Sequence, residues 1–461
     1  MPATESPALI VARFLKANHY NDTLDAFLRE AGLPPNAGST TDGDLTIERI
    51  LEEKQIFDLS LRFEKIGAGD DKAWNGVTAP SEPYQVTLPT AANILHVSLE
   101  SFENEQSAGP RQLLLATTAD RRLNLIIPDL AFTIFKSVSY LQDSPILSCI
   151  PVGSEYFTTI SSGMSGQVIL YDHDEDKVLD ERRDHKKYVV KVDIWTDSRV
   201  TWVATAGWDA KIYLYRMSQE GKQRLGAPVA SITLPTNPET IKFVQHPDHQ
   251  HPILIVTRRD STSLYYYSIS TPNRLASTRL PTELELLGSQ NLAPHSNAWI
   301  AFSPSSIAVC PTDPTLIAVA TSAVPHMKLI LVRLLIPLHS ASSASSTITT
   351  QASQARANLA IQDREDAAIK VHVSTMAPQT PYSTPQVVWR PDGSGLWVNG
   401  DDGVLRGLEA KTGKVVATLK GGHEAGSKIR SIWCGMVEGQ EWVVSGGFDR
   451  RLVVWKPGEK D

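Results

Sequence analysis

The chain has 461 residues, of which 41% are hydrophobic and 21% charged, and its net charge is −7. That length suits one large domain plus a smaller one, and that apolar content exceeds what a disordered chain carries. The 51 acidic residues outnumber the 44 basic ones, so there is no cationic surplus for a phosphate backbone, and nucleic acid is an unlikely partner.

Residues 1–35 pattern as a helical hairpin. Over 8–17, Leu9, Ile10, Phe14 and Leu15 line one helical face, Asn18-His19 breaks the run before Tyr20, and over 21–31 Leu24, Phe27 and Leu28 form a second stripe ended by Gly32 and Pro34-Pro35. Two helices this short bury too little surface to stand alone, and self-association is the simplest remedy. Leu9-Ile10, Phe14-Leu15, Tyr20, Thr23, Phe27 and Glu30 together resemble the LisH motif over residues 7–33. The resemblance implies a homodimer formed through Leu9, Ile10, Phe14, Leu15, Tyr20, Leu24 and Phe27. Residues 36–66 add a further amphipathic helix, expected from about 45 to 66. Asp44 or Thr46 is its candidate N-cap, and Ile47, Ile50, Phe57 and Leu61 form a seam. Its opening faintly resembles the CTLH motif, whose remainder is missing. Residues 67–83, rich in Gly, Asp and Pro, read as a linker.

From residue 84 onward the chain is short apolar runs separated by turns, and its 28 Gly and 29 Pro suit many short strands. The clearest unit is the last: His423, then 429–433, then 442–445, then Asp449, then 452–455 ending in Trp455. A second has His185, 189–194, Thr205, Trp208-Asp209 and 212–215 ending in Tyr215. In both, a hydroxyl residue (Ser445, Thr205) precedes the Asp by four and an aromatic follows it by six. An Asp in a tight turn can hold the His, which can reach the hydroxyl, which can reach the aromatic, satisfying buried polar groups while fixing the height of three strands. These two units closely resemble WD40 repeats. Weaker strand–turn–strand cores at 113–127, 156–171, 253–267, 317–332 and 395–408 bring the number of units to seven. The expected fold is therefore mainly all-β: a seven-bladed WD40 β-propeller over 84–461 with an N-terminal α-helical LisH-like dimerisation segment.

The last unit supplies three strands and the chain then ends, so residues 84–88 are expected to pair with 452–455 and close the ring. Residues 339–381 interrupt the repeat with Ser- and Ala-rich sequence and are expected to form a flexible insertion from the fifth blade, with 367–373 returning as an outer strand.

No catalytic constellation, phosphate loop or zinc signature is present, so neither an enzyme, a cofactor nor a metal site is expected. Asp172, Asp174 and Asp176 begin like a calcium loop, but Lys177 and Arg183 replace the glycine and the bidentate Glu it needs. His246, His249 and His251 read as a polar loop rather than metal ligands. Cys149, Cys310 and Cys434 read as buried free thiols of a reducing compartment, consistent with a cytoplasmic or nuclear protein, and no signal peptide or membrane span is expected. The one local charge signal is Arg182, Arg183, Lys186, Lys187 and Lys191, around His185 and beside Tyr188, a candidate grip for an acidic or phosphorylated partner. The WD40 and LisH resemblances imply a non-enzymatic homodimeric scaffold that presents propellers to other proteins within a larger complex. A dedicated assembly or chaperone factor for one client, and a substrate-recruiting ubiquitin-ligase subunit, stay open. The last is disfavoured because Lys456-Pro457 follows Trp455 where cullin-adaptor receptors end Trp-Asp-x-Arg.

Overall fold

A computed structural model describes residues 6–40, 44–51, 74, 78–102, 111–152, 157–197, 200–218, 224–247, 251–269, 282–295, 302–337 and 351–458. They divide into two units, residues 1–64 and 65–461.

The first unit holds two helices, α1 (Pro7–Ala17) and α2 (Asn21–Glu30). His19 (φ 61°) and Gly32 (φ 64°) take the left-handed conformation just past each helix. The next amides, of Tyr20 and Leu33, reach back to the carbonyls of Leu15 and Leu28, both at 2.9 Å. Both helices therefore end in the same six-to-one turn, which satisfies orphan carbonyls and folds the hairpin. Its own core is small: Ala12, Leu24 and Leu28 are buried, with Leu15, Phe27, Leu33 and Ala37 packed against them. Arg13, buried on α1, binds Asp44 (3.2 Å) and the Leu45 carbonyl (3.0 Å), holding the following segment. The Thr46 hydroxyl accepts the Arg49 amide at 3.2 Å, an N-cap for the turn that begins there. The rest of the expected third helix lies outside the described residues.

The second unit is a seven-bladed β-propeller. Seven sheets follow in chain order, each starting with an inner strand: residues 94–138, 146–182, 189–233, 238–291, 304–378, 387–419 and 429–456. Each inner strand touches the next around the ring, and the seventh touches the first. The middle strands read as unbroken apolar runs, such as Leu113, Leu114, Leu115 and Ala116, because they are covered on both faces by neighbouring blades. Core clusters accordingly mix residues from adjacent blades, as where Trp202 and Leu214 meet Ile241 and Leu254.

Ring closure is the pairing expected from the sequence, shifted by two residues. Glu82–Val86 lies antiparallel to Leu452–Lys456, with Tyr84 opposite Val454. Blade three gains an unanticipated fifth strand, Thr282–Glu283, which pairs in parallel with Ala230–Thr233.

The insertion corrects the sequence reading. Residues 338–350 lie outside the described set, but Gln351–Ala368 forms a helix, α3, that runs into the outer strand Ile369–Pro378. Low hydrophobicity had pointed to a flexible loop. Ala, Gln, Arg and Glu are nevertheless strong helix formers, and Glu365 anchors α3 by accepting the Asn291 amide at 2.7 Å. The linker, expected over 67–83, is corrected at Glu82 and Pro83, which belong to the closing strand, and at Trp74. Trp74 sits in blade six, edge-on to Trp397 at 5.0 Å and with the Arg390 guanidinium 4.3 Å from its ring. Gly395 and Gly407 make the slot, since a β-carbon at either would stand 2.2 Å from the indole.

Candidate functional site

Blades three and seven carry the two polar networks. In blade seven, His423 Nδ1 bonds Asp449 at 3.0 Å, His423 Nε2 meets Ser445 Oγ at 2.8 Å, and Trp455 Nε1 donates to Ser445 Oγ at 2.9 Å. In blade three, His185 bonds Asp209 (3.0 Å) and Thr205 (2.8 Å) in the same way. Tyr215 adds to the pattern: besides its interaction with Thr205, its hydroxyl donates to Asp184 at 3.0 Å. Burial and then Asp184 hold that phenol well above its ordinary range. The glycines before the turns, Gly207 and Gly447, are needed for close approach, because a β-carbon would stand 2.2 Å from His185 Nδ1 and 2.5 Å from Asp449 Oδ1. Burial disfavours charge on Asp209 and Asp449. The bonds from the histidines and from the Lys186 and Glu424 amides outweigh it and keep both acids below the usual carboxylate range. Such networks hold the strands together while satisfying the buried histidines on both ring nitrogens.

The basic loop divides. Arg182 forks onto Asp184 at 2.9 and 2.8 Å, and Arg183 binds Asp143 (2.7 Å) and Glu181 (3.3 Å), so both arginines are matched within the propeller. Lys186 and Lys187 are exposed, and neither ammonium pairs with a described residue. Tyr188 packs on Trp208 with ring centres 4.5 Å apart, and Arg259 of blade four lies 4.4 Å from the Trp208 ring. Arg259 is itself held by Glu239 at 2.6 Å. The resulting surface is a shelf of two lysines, two aromatic rings and a guanidinium, shared by blades three and four. Sequence reasoning placed Lys186, Lys187 and Tyr188 on it and missed Trp208 and Arg259. The signal for these was available: Trp208 and Arg259 occupy matching turns of consecutive repeats, their amides bonding the carbonyls of Tyr188 and Asn237.

The remaining polar candidates are absorbed by structure. Asp172 accepts the amides of Asp174 and Glu175, while Asp176 binds Lys136, Tyr140 and Tyr171. His246 is buried, His251 is exposed, and His249 lies outside the described residues. Among the described residues no three His, Cys, Asp or Glu groups are arranged to hold a metal. The three cysteines are free, and burial raises the Cys149 thiol to about 12.

Family models match on both units: a LisH domain over residues 8–36 and a β-propeller domain over residues 104–456, both described as UCP007778. The chain belongs to the UCP007778 family. Among curated proteins, the "Uncharacterized protein YGR117C" of Saccharomyces cerevisiae is 22% identical over 368 residues, which span 71% of this chain and 74% of that protein. The similarity thus extends over most of both chains, and the printed name assigns no activity.

Proposed function

We propose that this UCP007778-family protein is a non-enzymatic, homodimeric scaffold whose propellers are of the WD40 type and dock protein partners of a larger complex. The observation that carries the reading is the mismatch between the hairpin's apolar stripe and its own core. Among the described residues, Leu15, Leu24 and Phe27 serve that core, whereas Leu9, Ile10 and Phe14 are not part of it and Tyr20 is 54% exposed. A second copy is the occupant that the LisH match favours. Two linked propellers then raise the effective concentration of the second contact, so modest sites suffice. The His–Asp–hydroxyl networks favour the WD40 assignment, and the lysine–aromatic shelf favours an acidic partner segment. Three free thiols, of which Cys149 and Cys310 are buried and Cys434 is partly exposed, fit a cytoplasmic or nuclear setting.

The test separates interface from hairpin core. In light scattering, Ile10→Asp plus Phe14→Asp halves the mass of the full chain and leaves the propeller's melting unchanged. A parent protein that is already monomeric refutes the dimer.

A further inference from the structure

Six of the seven inner strands slip register near their start. The slips fall between Ile94 and His96, Ile146 and Ser148, Val189 and Lys191, Pro238 and Thr240, Pro304 and Ser306, and Ile429 and Ser431. Each bulge leaves one residue unpaired and bends the strand where it enters the ring. The unpaired residues, Leu95, Leu147, Val190, Glu239, Ser305 and Arg430, therefore encircle one mouth of the central channel. Two of the six are charged. Glu239 is matched by Arg259 at 2.6 Å. Arg430 is only partly exposed and makes no hydrogen bond or ion pair with a described residue.

Two further basic side chains share this mouth. Val97 N donates to Ser431 Oγ at 3.0 Å, which sets His96 beside Arg430 on adjoining strands. Lys191 holds the position in blade three that His96 holds in blade one, the first paired residue after the bulge. Asp193, the acid that Lys191 senses, is engaged by Lys242 Nζ and the Phe243 amide, both at 2.7 Å. His96 Nε2 is buried without a partner. Burial, then Lys191 and Arg430, lowers the His96 ring to about 4, so it is neutral near pH 7. Tyr188, at the inner edge of the shelf, is close enough to interact electrostatically with Arg430.

We propose that this channel mouth is a binding site for a phosphate-bearing anion, with Arg430 and Lys191 supplying the charge that holds it. Unmatched cations in a recess cost free energy, which a bound anion offsets. Low-dielectric walls focus their potential, and a guanidinium fork fits phosphate oxygens. The site does not depend on the scaffold reading, since a monomer would carry it equally.

The experiment is calorimetric titration of the full chain with tripolyphosphate and, separately, with a phosphoserine peptide in a Gly-Ser context. Saturable binding of one anion per chain is expected, weakened about tenfold or more by Arg430→Gln plus Lys191→Gln. The shelf variant Lys186→Gln plus Lys187→Gln should keep that affinity. Tighter binding of tripolyphosphate identifies a free anion, and tighter binding of the peptide a partner's phosphorylated side chain. If the double variant melts early, Arg430→Lys replaces it; it keeps the charge and loses the fork, and it too should bind more weakly. The proposal is overturned if neither probe gives a saturable heat, or if binding follows the shelf lysines and ignores the channel residues.

Discussion

Replacing Glu441 by Ala tests how blades six and seven are joined. Its carboxylate is fully buried and accepts Arg390 Nε at 2.9 Å, Arg390 Nη2 at 2.7 Å and Trp397 Nε1 at 3.2 Å, while the Arg390 side chain is itself fully buried. Arg390 retains Ser394 Oγ at 2.8 Å, a distant Asp392 and the face of Trp74. Asp392 is a carboxylate, but at 3.8 Å and partly exposed it does not make up the short bonds lost with Glu441. Removing one partner of a buried pair costs about 3–5 kcal/mol, a large fraction of a typical domain's stability. Replacing both partners by apolar groups of similar size costs far less, because no charge is stranded. Urea unfolding followed by tryptophan fluorescence, with Trp74 and Trp397 beside the pair, should rank the variants. Glu441→Ala should be the least stable and Arg390→Met plus Glu441→Leu closer to the parent. A single variant within about 1 kcal/mol of the parent, or a double variant as unstable as the single, would refute the reasoning.

Deleting residues 81–86 removes the strand that covers Leu452–Lys456 and withdraws Val86 from the core between blades seven and one. Melting should fall by several degrees and self-association through the bared edge should rise; unchanged melting would remove the closure argument. Ser445→Ala leaves His423 Nε2 and Trp455 Nε1 without the hydroxyl they share and should cost about 1–3 kcal/mol in urea unfolding. Thr205→Ala, where Tyr215 keeps its bond to Asp184, should cost less. Burial, then Lys136, lowers His173 to about 3, and His96 lies at about 4, both below the unfolded value of 6.5. Their contribution is present above pH 6.5 and is lost as pH falls toward 4, because only the unfolded chain takes up protons there. Glu100, raised by burial to about 7, acts oppositely: its contribution is complete below pH 4.5 and is lost as pH rises through 7. Stability should therefore fall from pH 7 to pH 5, less steeply in His173→Gln and more steeply in Glu100→Gln; an unchanged slope in both variants would contradict the assignment.

The sequence was most legible where local chemistry repeats. Short apolar runs and turn signals located all seven blades, and even the weakest, around 317–332, forms the strands Leu316–Thr321 and His326–Arg333. The helix Gln351–Ala368 was not foreseen because composition was weighed as hydrophobicity and not as backbone propensity. Trp74 was hidden because its partners, Gly395, Gly407, Arg390 and Trp397, are more than 300 positions away and only the closed ring brings them together. Lys191 was legible as part of the basic loop, but its place at the channel mouth, and Arg430 altogether, were hidden for the same reason. A bulge is a relation between two strands, and nothing in Arg430 or Lys191 alone marks it.

The basic loop illustrates why a run of charges in a sequence is weak evidence for a binding surface. Arg182 and Arg183 looked as available as Lys186 and Lys187, yet both are bound to carboxylates of Asp184, Asp143 and Glu181. The planar fork of arginine favours such bidentate internal pairing, while the compact, strongly hydrated lysine ammonium stays in solvent. A partner approaching this face therefore meets the lysines, the Tyr188–Trp208 rings and Arg259. The rings matter most for affinity, because aromatic anchors exclude water around a contact that exposed lysines alone would leave screened by salt. Trp208→Ala should accordingly weaken partner capture more than Lys186→Ala plus Lys187→Ala at physiological salt, and the ranking should narrow at low salt. Equal losses at both ionic strengths would mean that charge alone governs docking on this face.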